Sequence, residues 1–307
     1  MKRRYEVWFL RCGLADGSGA WWFRYLITNP GVPRVGVPLP EMPAQLWATW
    51  FPRGGQPSTF IQGFPIESLH CSPRKQIPFH CRIGGNGIER DFCWGNLAVD
   101  GHSISWKLAL HSNFGTVLSD KGWIGFSRSP HSDATFDGEI QFDGNTFRGD
   151  PLGYGVQGHN CGYRHRSYWR WMHAYFPRAG RATTLEALVY DLPFGMKYRN
   201  VILQHEGKIT RFAKLMEREI VCEKNLLKWT FAALGRKGVA IELTIEGATP
   251  ELHRLPYFKT DGSGTFQVSN ASLADAVLKL PDGQHLETEG GAVLEMAGTG
   301  WSFHVET

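Results

Sequence analysis

The sequence predicts an all-β protein built as two similar antiparallel barrels, and three observations carry that expectation. Turn formers are dense, with 36 glycines and 17 prolines among 307 residues, which divides the chain into short segments. Between the turns, apolar residues alternate with polar ones at the two-residue period of a half-buried strand. The order of hairpins in the first half also recurs in the second. At 42% hydrophobic and 20% charged residues, the chain has ample material for packed cores, and its composition excludes the disordered class.

The elements follow in order. Tyr5–Arg11 and Ala20–Thr28 are aromatic and β-branched runs joined by Ala15-Asp-Gly-Ser-Gly19, a hairpin connection. Leu46–Phe51 and Ser58–Phe64 come next, split by Pro52-Arg-Gly-Gly55. Ser103–Leu110 sets Ile104, Trp106, Leu108 and Leu110 on one face and Ser103, Ser105 and Lys107 on the other. Phe136–Phe142 and Thr146–Gly149 flank a turn at Asp143-Gly-Asn145. Arg211–Glu223 reads as either helix or strand. Ser272–Leu280 is followed by Pro281-Asp-Gly283, a turn signal that favours a hairpin.

The repeat is one of order more than of identity. Leu46–Phe51 with Thr59–Ile61 answers Val201–His205 with Ile209–Phe212, and Trp106–Leu110 answers Ile241–Ile245. The opening hairpin answers Ser167–Phe176 with Thr183–Asp191. Two barrels, residues 1–158 and 159–307, account for both length and repeat. Such barrels enclose either a packed interior or one apolar ligand cavity. The 12 Trp, 19 Phe and 9 Tyr suit both.

Charge and cysteine usage narrow the function classes. A net charge of +4 is too small for a nucleic-acid footprint, although Arg164, Arg166, Arg170, Arg178 and Arg181 cluster among aromatics. No apolar run reaches the roughly 20 residues of a membrane span, and the opening lacks the apolar core of a secretory leader. The expectation is a cytoplasmic protein whose Cys12, Cys71, Cys81, Cys93, Cys161 and Cys222 stay reduced. Peripheral membrane contact and the oligomeric state stay open. Gly84-Gly-Asn-Gly87 lacks the Lys-Ser/Thr of a phosphate loop, and no Gly-x-Ser-x-Gly elbow occurs. Neither His159-x-Cys161 with His165 nor the doublets His70-Cys71 and His80-Cys81 have zinc spacing. Neither a metal nor another cofactor is implied.

Asp150–Phe176 stands apart, with three histidines, four tyrosines and two tryptophans. Its His159-Asn160-x-Gly162, followed by Trp169-x-Trp171-x-His173, resembles the central motif of the tandem-lipocalin proteins. Those include carotenoid 1,2-hydratase-like, AttH-like and tocopherol-cyclase-like proteins and the lipocalin-type Diels–Alderases. Tyr5–Phe9 with Trp22–Tyr25 resembles their first hairpin, and Gly290–Met296 their closing strand. The resemblance implies two tandem lipocalin-like β-barrels and an isoprenoid- or polyketide-like ligand. Where the family commonly has Tyr-His-Asp-His-Asn-Trp-Gly, this chain has Val156-Gln-Gly-His-Asn-Cys-Gly162. The acidic position is Gly158, so hydratase chemistry does not carry over residue by residue.

His159 and Asn160 are the retained polar groups, placed either to orient a ligand oxygen and move a proton or to satisfy buried backbone. Glu67, Asp91 and Glu186 sit in otherwise apolar runs and are the candidate acids, since an apolar surrounding raises a carboxyl's pKa. Tyr163, Trp169, Trp171, His173 and Trp94 are the candidate ligand-lining groups. Alternation points Trp169 and Trp171 one way and Arg170 the other. Two functions fit: conversion of an apolar small molecule by cyclisation, isomerisation or hydration, and its non-catalytic binding or carriage.

Overall fold

The computed structural model describes residues 5–28, 42–72, 80–121, 125–163, 165–166, 168–177, 181–235, 238–260, 265–298 and 301–304. Arg164, Ser167 and Arg178 of the central stretch lie outside these residues. Within them the secondary structure is strand plus two one-turn 3-10 segments, Ile66–Ser68 and Pro193–Gly195, with no α-helix. One compact unit comprises the described residues of Met1–Trp50, Ser58–His165 and Phe258–Thr265. The other comprises those of Phe51–Pro57, Arg166–Tyr257 and Phe266–Thr307.

The first sheet opens with β1 (Tyr5–Leu14), β2 (Gly19–Thr28), β3 (Ala44–Pro52), β4 (Ser58–Phe64), β5 (Leu69–Cys71) and β6 (His80–Ile83). It continues with β7 (Asn86–Glu89), β8 (Phe92–Val99), β9 (His102–His111), β10 (Thr116–Asp120), β11 (Gly125–Phe142) and β12 (Asn145–Gly162). Its order is β4-β3-β2-β1-β12-β11-β9-β8-β7-β6-β5, with β10 on β11. The sheet curls on itself, because Leu46 and Phe60 near one end of this order share a core with Cys81 and Ile88 near the other. Turn chemistry fixes the register locally. Asp143 and Gly144, both at positive φ, make the β11–β12 turn, where the twist of the strands requires that conformation.

The second sheet is built from β13 (Trp169–Phe176), β14 (Thr183–Asp191), β15 (Lys197–His205), β16 (Lys208–Phe212), β17 (Lys214–Cys222) and β18 (Leu226–Leu234). To these it adds β19 (Ala240–Ala248), β20 (His253–Phe258), β21 (Thr265–Lys279), β22 (His285–Ala297) and β23 (Trp301–His304). Its order is β16-β15-β14-β13-β22-β21-β19-β18-β17-β23, with β20 on β21. The four opening strands β1 to β4 are therefore answered by β13 to β16, and β12, β11, β9, β8 by β22, β21, β19, β18. The sequence correspondence of Trp106–Leu110 with Ile241–Ile245 matches the equivalent places of β9 and β19 in the two sheet orders.

Three local readings resolve in the structure. Arg211–Cys222 is strand, interrupted at Ala213 between β16 and β17, and Glu223 lies just beyond it. Ser272–Lys279 belongs to β21, and the chain turns at Leu280–Gln284 into β22, closed by the Leu280 amide on the Gln284 carbonyl at 2.8 Å. The expected division at 158/159 falls inside β12, whose residues through Gly162 pair with β1. The chain reaches the second sheet only after that strand ends. The six cysteines are all thiols.

The inward face of each sheet is set by alternation. In β1 it carries Trp8, Leu10, Cys12 and Leu14, and in β13 Met172, Ala174 and Phe176. The opposite faces of the opening strands are buried as well, so that every residue of β2 is buried.

Candidate functional site

The inward row of β1 begins with a charge. Glu6 shares the parity of Trp8 and Leu10 and is 1% exposed. Across the β1–β12 pairing, His159 stands opposite Trp8 and Cys161 opposite Glu6, so His159 also points inward. Its Nε2 lies 3.1 Å from Glu6 Oε1, a buried acid–imidazole pair formed by residues far apart in sequence. The imidazole is held flat on the Trp8 ring, with centroids 4.7 Å apart and planes at 18°. Phe126 of β11 closes its other side edge-on, also at 4.7 Å. Two ring contacts and one hydrogen bond thus fix the imidazole plane.

Further polar groups share this interior. Gln157 is two residues before His159 on the same face, and its Nε2 donates to the Glu89 carbonyl at 2.7 Å. Among the described residues its buried Oε1 has no hydrogen-bond partner, and neither has the buried Nε1 of Trp8. Orphaned polar atoms in a core are uncommon and call for a partner. Tyr25, opposite Trp8 on β2, donates to the Trp94 carbonyl at 2.6 Å and accepts from Trp106 Nε1 at 3.0 Å. Burial, and then the adjacent Cys93, push the Tyr25 phenol well above its ordinary range. His131 Nε2 meets the Arg90 carbonyl at 2.6 Å and Asp91 Oδ1 at 3.2 Å. Burial nevertheless holds that imidazole below its usual pKa.

The second sheet repeats the arrangement with the charge reversed. The first inward residue of β13 is Arg170, which is 0% exposed and ion-paired with Glu217. Its guanidinium sits 4.7 Å from the Tyr168 ring centroid and 5.2 Å from that of Trp229. Burial lowers it to about 10 against the pull of Glu217. Among the described residues no group of three or more His, Cys, Asp or Glu is placed to hold a metal ion.

No family model and no curated protein sequence matches the chain. Solved structures do. CghA in complex with Sch210972 superposes with a TM-score of 0.62 at 10% identity, covering 96% of this chain and 88% of that one. Kievitone hydratase from Nectria haematococca gives 0.61 at 10% identity, over 97% and 89%. An AttH-like protein from Nitrosomonas europaea gives 0.57 at 12% identity, over 97% and 93%. The chain has the tandem lipocalin-type fold.

Within that fold the sequence candidates separate. Asn160 is on the opposite face of β12 from His159, because adjacent residues of a strand alternate, and it is half-buried. Glu67 is exposed on the 3-10 turn Ile66–Ser68 and faces no interior. The Asp91 side chain, 73% exposed, reaches the interior through His131. Trp94 is on the outer face of β8, stacked on Phe92 at 5.6 Å and covering Gly87. Tyr163 is half-buried just beyond β12. Trp169, Trp171 and His173 share one face of β13 as alternation requires, but that face is the one turned away from the second sheet's core. Glu186 is on the same face, paired with His173 in register and 1% exposed. Trp169 Nε1 donates there to Glu295 at 3.2 Å, which also receives Asn270 Nδ2 at 3.4 Å. Four sequence candidates, Trp169, Trp171, His173 and Glu186, are thus gathered on one buried face of the second sheet, whereas His159 belongs to the first.

Glu6 and Arg170 were the residues sequence reasoning passed over. The available signal was parity. Each is a charge on the two-residue row that continues into apolar core positions, Trp8 and Leu10 in one sheet and Met172 and Ala174 in the other.

Proposed function

We propose that the first sheet's interior binds an apolar small molecule bearing oxygen functions and converts it by proton transfer at the Glu6–His159 pair. An isoprenoid- or polyketide-like substrate and a cyclisation, isomerisation or hydration fit this chemistry. The observation that carries the reading is the pair itself, an acid and an imidazole in contact inside an aromatic interior. A buried pair of that kind is placed to pass a proton to a substrate atom, in a low-dielectric setting where such a transfer is effective. The proton returns to the pair when the substrate loses one elsewhere, so isomerisation and cyclisation need no other reagent and hydration needs only water. Trp8 Nε1 supplies a donor and Gln157 Oε1 an acceptor for the substrate's oxygens, while Phe126 and Trp8 give its carbon skeleton flat apolar surfaces. The aromatic faces also suit a cationic intermediate. Proteins sharing the fold include a hydratase, and one was crystallised with a small molecule, which agrees with this assignment.

Native mass spectrometry of the protein as purified, followed by a screen of terpenoids and polyketides, tests binding. Glu6→Gln and His159→Gln keep hydrogen-bonding capacity but remove the transferable proton. Both should retain a bound ligand while turnover falls by about 100-fold or more. Full turnover in both variants would overturn the catalytic role, and binding without any conversion by the wild type would make the protein a carrier.

A further inference from the structure

The end of the first sheet holds two cysteines face to face. In the β5–β6 pairing the partners are Leu69 with Ile83, His70 with Arg82, and Cys71 with Cys81. The hydrogen bonds around them show which kind of antiparallel pair this is. Ser72 donates its amide to the His80 carbonyl at 3.1 Å, and Gly84 donates to the Ser68 carbonyl at 3.1 Å. Both belong to the same register as Cys71–Cys81, one residue away on one side and three on the other. Hydrogen-bonded and non-hydrogen-bonded pairs alternate along an antiparallel ladder. Ser72–His80 and Ser68–Gly84 are the bonded type, so Cys71–Cys81 is the non-bonded type.

That type brings Cα atoms to about 4.5 Å and side chains closest together. A disulfide requires Cα atoms about 4.4–6.8 Å apart. The two thiols also lie on one face: Cys81 is fully buried in the core, and Cys71 packs half-buried against it. We propose that Cys71 and Cys81 form a reversible cross-strand disulfide, closed by thiol–disulfide exchange with a small disulfide of the glutathione class.

The exchange balances without any other reagent. The Cys71 thiolate attacks the small disulfide and releases one small thiol, leaving a mixed disulfide on Cys71. Cys81 then loses its proton, attacks the Cys71 sulfur and expels the second small thiol. Two protein thiols are oxidised, one small disulfide is reduced, and the two protons leave on the two small thiols. The order of attack follows from the environment. Cys71 is reachable at the end strand, whereas burial pushes the Cys81 thiol well above its ordinary range, with Cys71 and Glu6 adding in the same direction. The proposal does not rest on the role of the Glu6–His159 pair.

The test uses the full chain incubated in mixtures of reduced and oxidised glutathione, then acid-quenched and alkylated. Intact mass should fall by two hydrogens, titratable thiols should drop to two fewer than the six, and peptide mapping should join Cys71 to Cys81. Dithiothreitol should restore all six. The oxidised form should unfold several degrees higher than the reduced form, since the link shortens the unfolded chain's freedom. Cys71→Ser should abolish the change, and Cys222→Ser, in the other sheet, should leave it intact. Retention of all six thiols, a link between any other two cysteines, or a lasting glutathione adduct on Cys71 would overturn the proposal.

Discussion

Removing the carboxylate of Glu217 should destabilise the second sheet far more than removing the whole ion pair. Arg170 is inaccessible to solvent, and its guanidinium is enclosed by the faces of Tyr168 and Trp229. Even with Glu217 present, burial outweighs attraction and lowers Arg170 to about 10. Taking away the partner of such a buried charge costs about 3–5 kcal/mol, whereas replacing both partners by apolar groups of similar volume is close to neutral. One kcal/mol moves the midpoint of a domain of this size by about 2–4 °C. Glu217→Leu should therefore lower the thermal midpoint by about 6–20 °C, and Arg170→Met/Glu217→Leu should recover most of that loss. Differential scanning calorimetry on the two variants and the wild type decides it. A single variant within 2–3 °C of wild type, as an exposed ion pair would give, or a double variant no better than the single, would refute a solvent-excluded guanidinium.

Three more outcomes follow. His131 is neutral in the fold because burial depresses its pKa, whereas the unfolded chain takes up a proton near pH 6.5. Its contribution is thus complete above that value and declines as the pH falls through the folded pKa. Between pH 7.5 and 5 the wild type should lose more thermal stability than His131→Gln; parallel melting profiles would contradict this. Trp171→Ala removes a ring only 7% exposed and should cost about 3–5 kcal/mol of stability. Affinity per folded molecule should hold, whereas a loss of 10-fold or more would move the ligand to the second sheet's outer face. Gly95→Ala would set a Cβ about 2.1 Å from the buried Trp106 ring and should cost about 1–3 kcal/mol by overpacking. Gly85→Ala, which meets nothing within 4 Å, should be neutral in the same urea titration.

The sequence alone determined the fold class and the recurring order of its hairpins. Alternation, turn residues such as Asp143-Gly, and the recurring hairpins are written into neighbouring residues, and local backbone sterics read them the same way in any context. The correspondence of β9 with β19 was legible for that reason. The direction of each strand's faces was not. In a half-buried strand the polar row marks the outside, but every residue of β2, all but one residue each of β13 and β14, and most of β1 are buried. Burial on both sides removes the contrast that alternation needs. Trp169, Trp171 and His173 therefore looked like the lining of an interior, while Arg170, the residue between the two tryptophans, is the one that enters it. Asn160 separated from His159 by the same rule, since a single step along a strand changes its face. Partnerships across the sheet were equally invisible. Glu6 meets His159 only because β12 returns beside β1, and Cys71 faces Cys81 only because the ladder has that register. A carboxylate, an imidazole or a thiol has the same sequence signature whether it faces water or a partner. Only the tertiary structure brings the groups together, by folding distant or turn-linked strands side by side so that both groups share one interior.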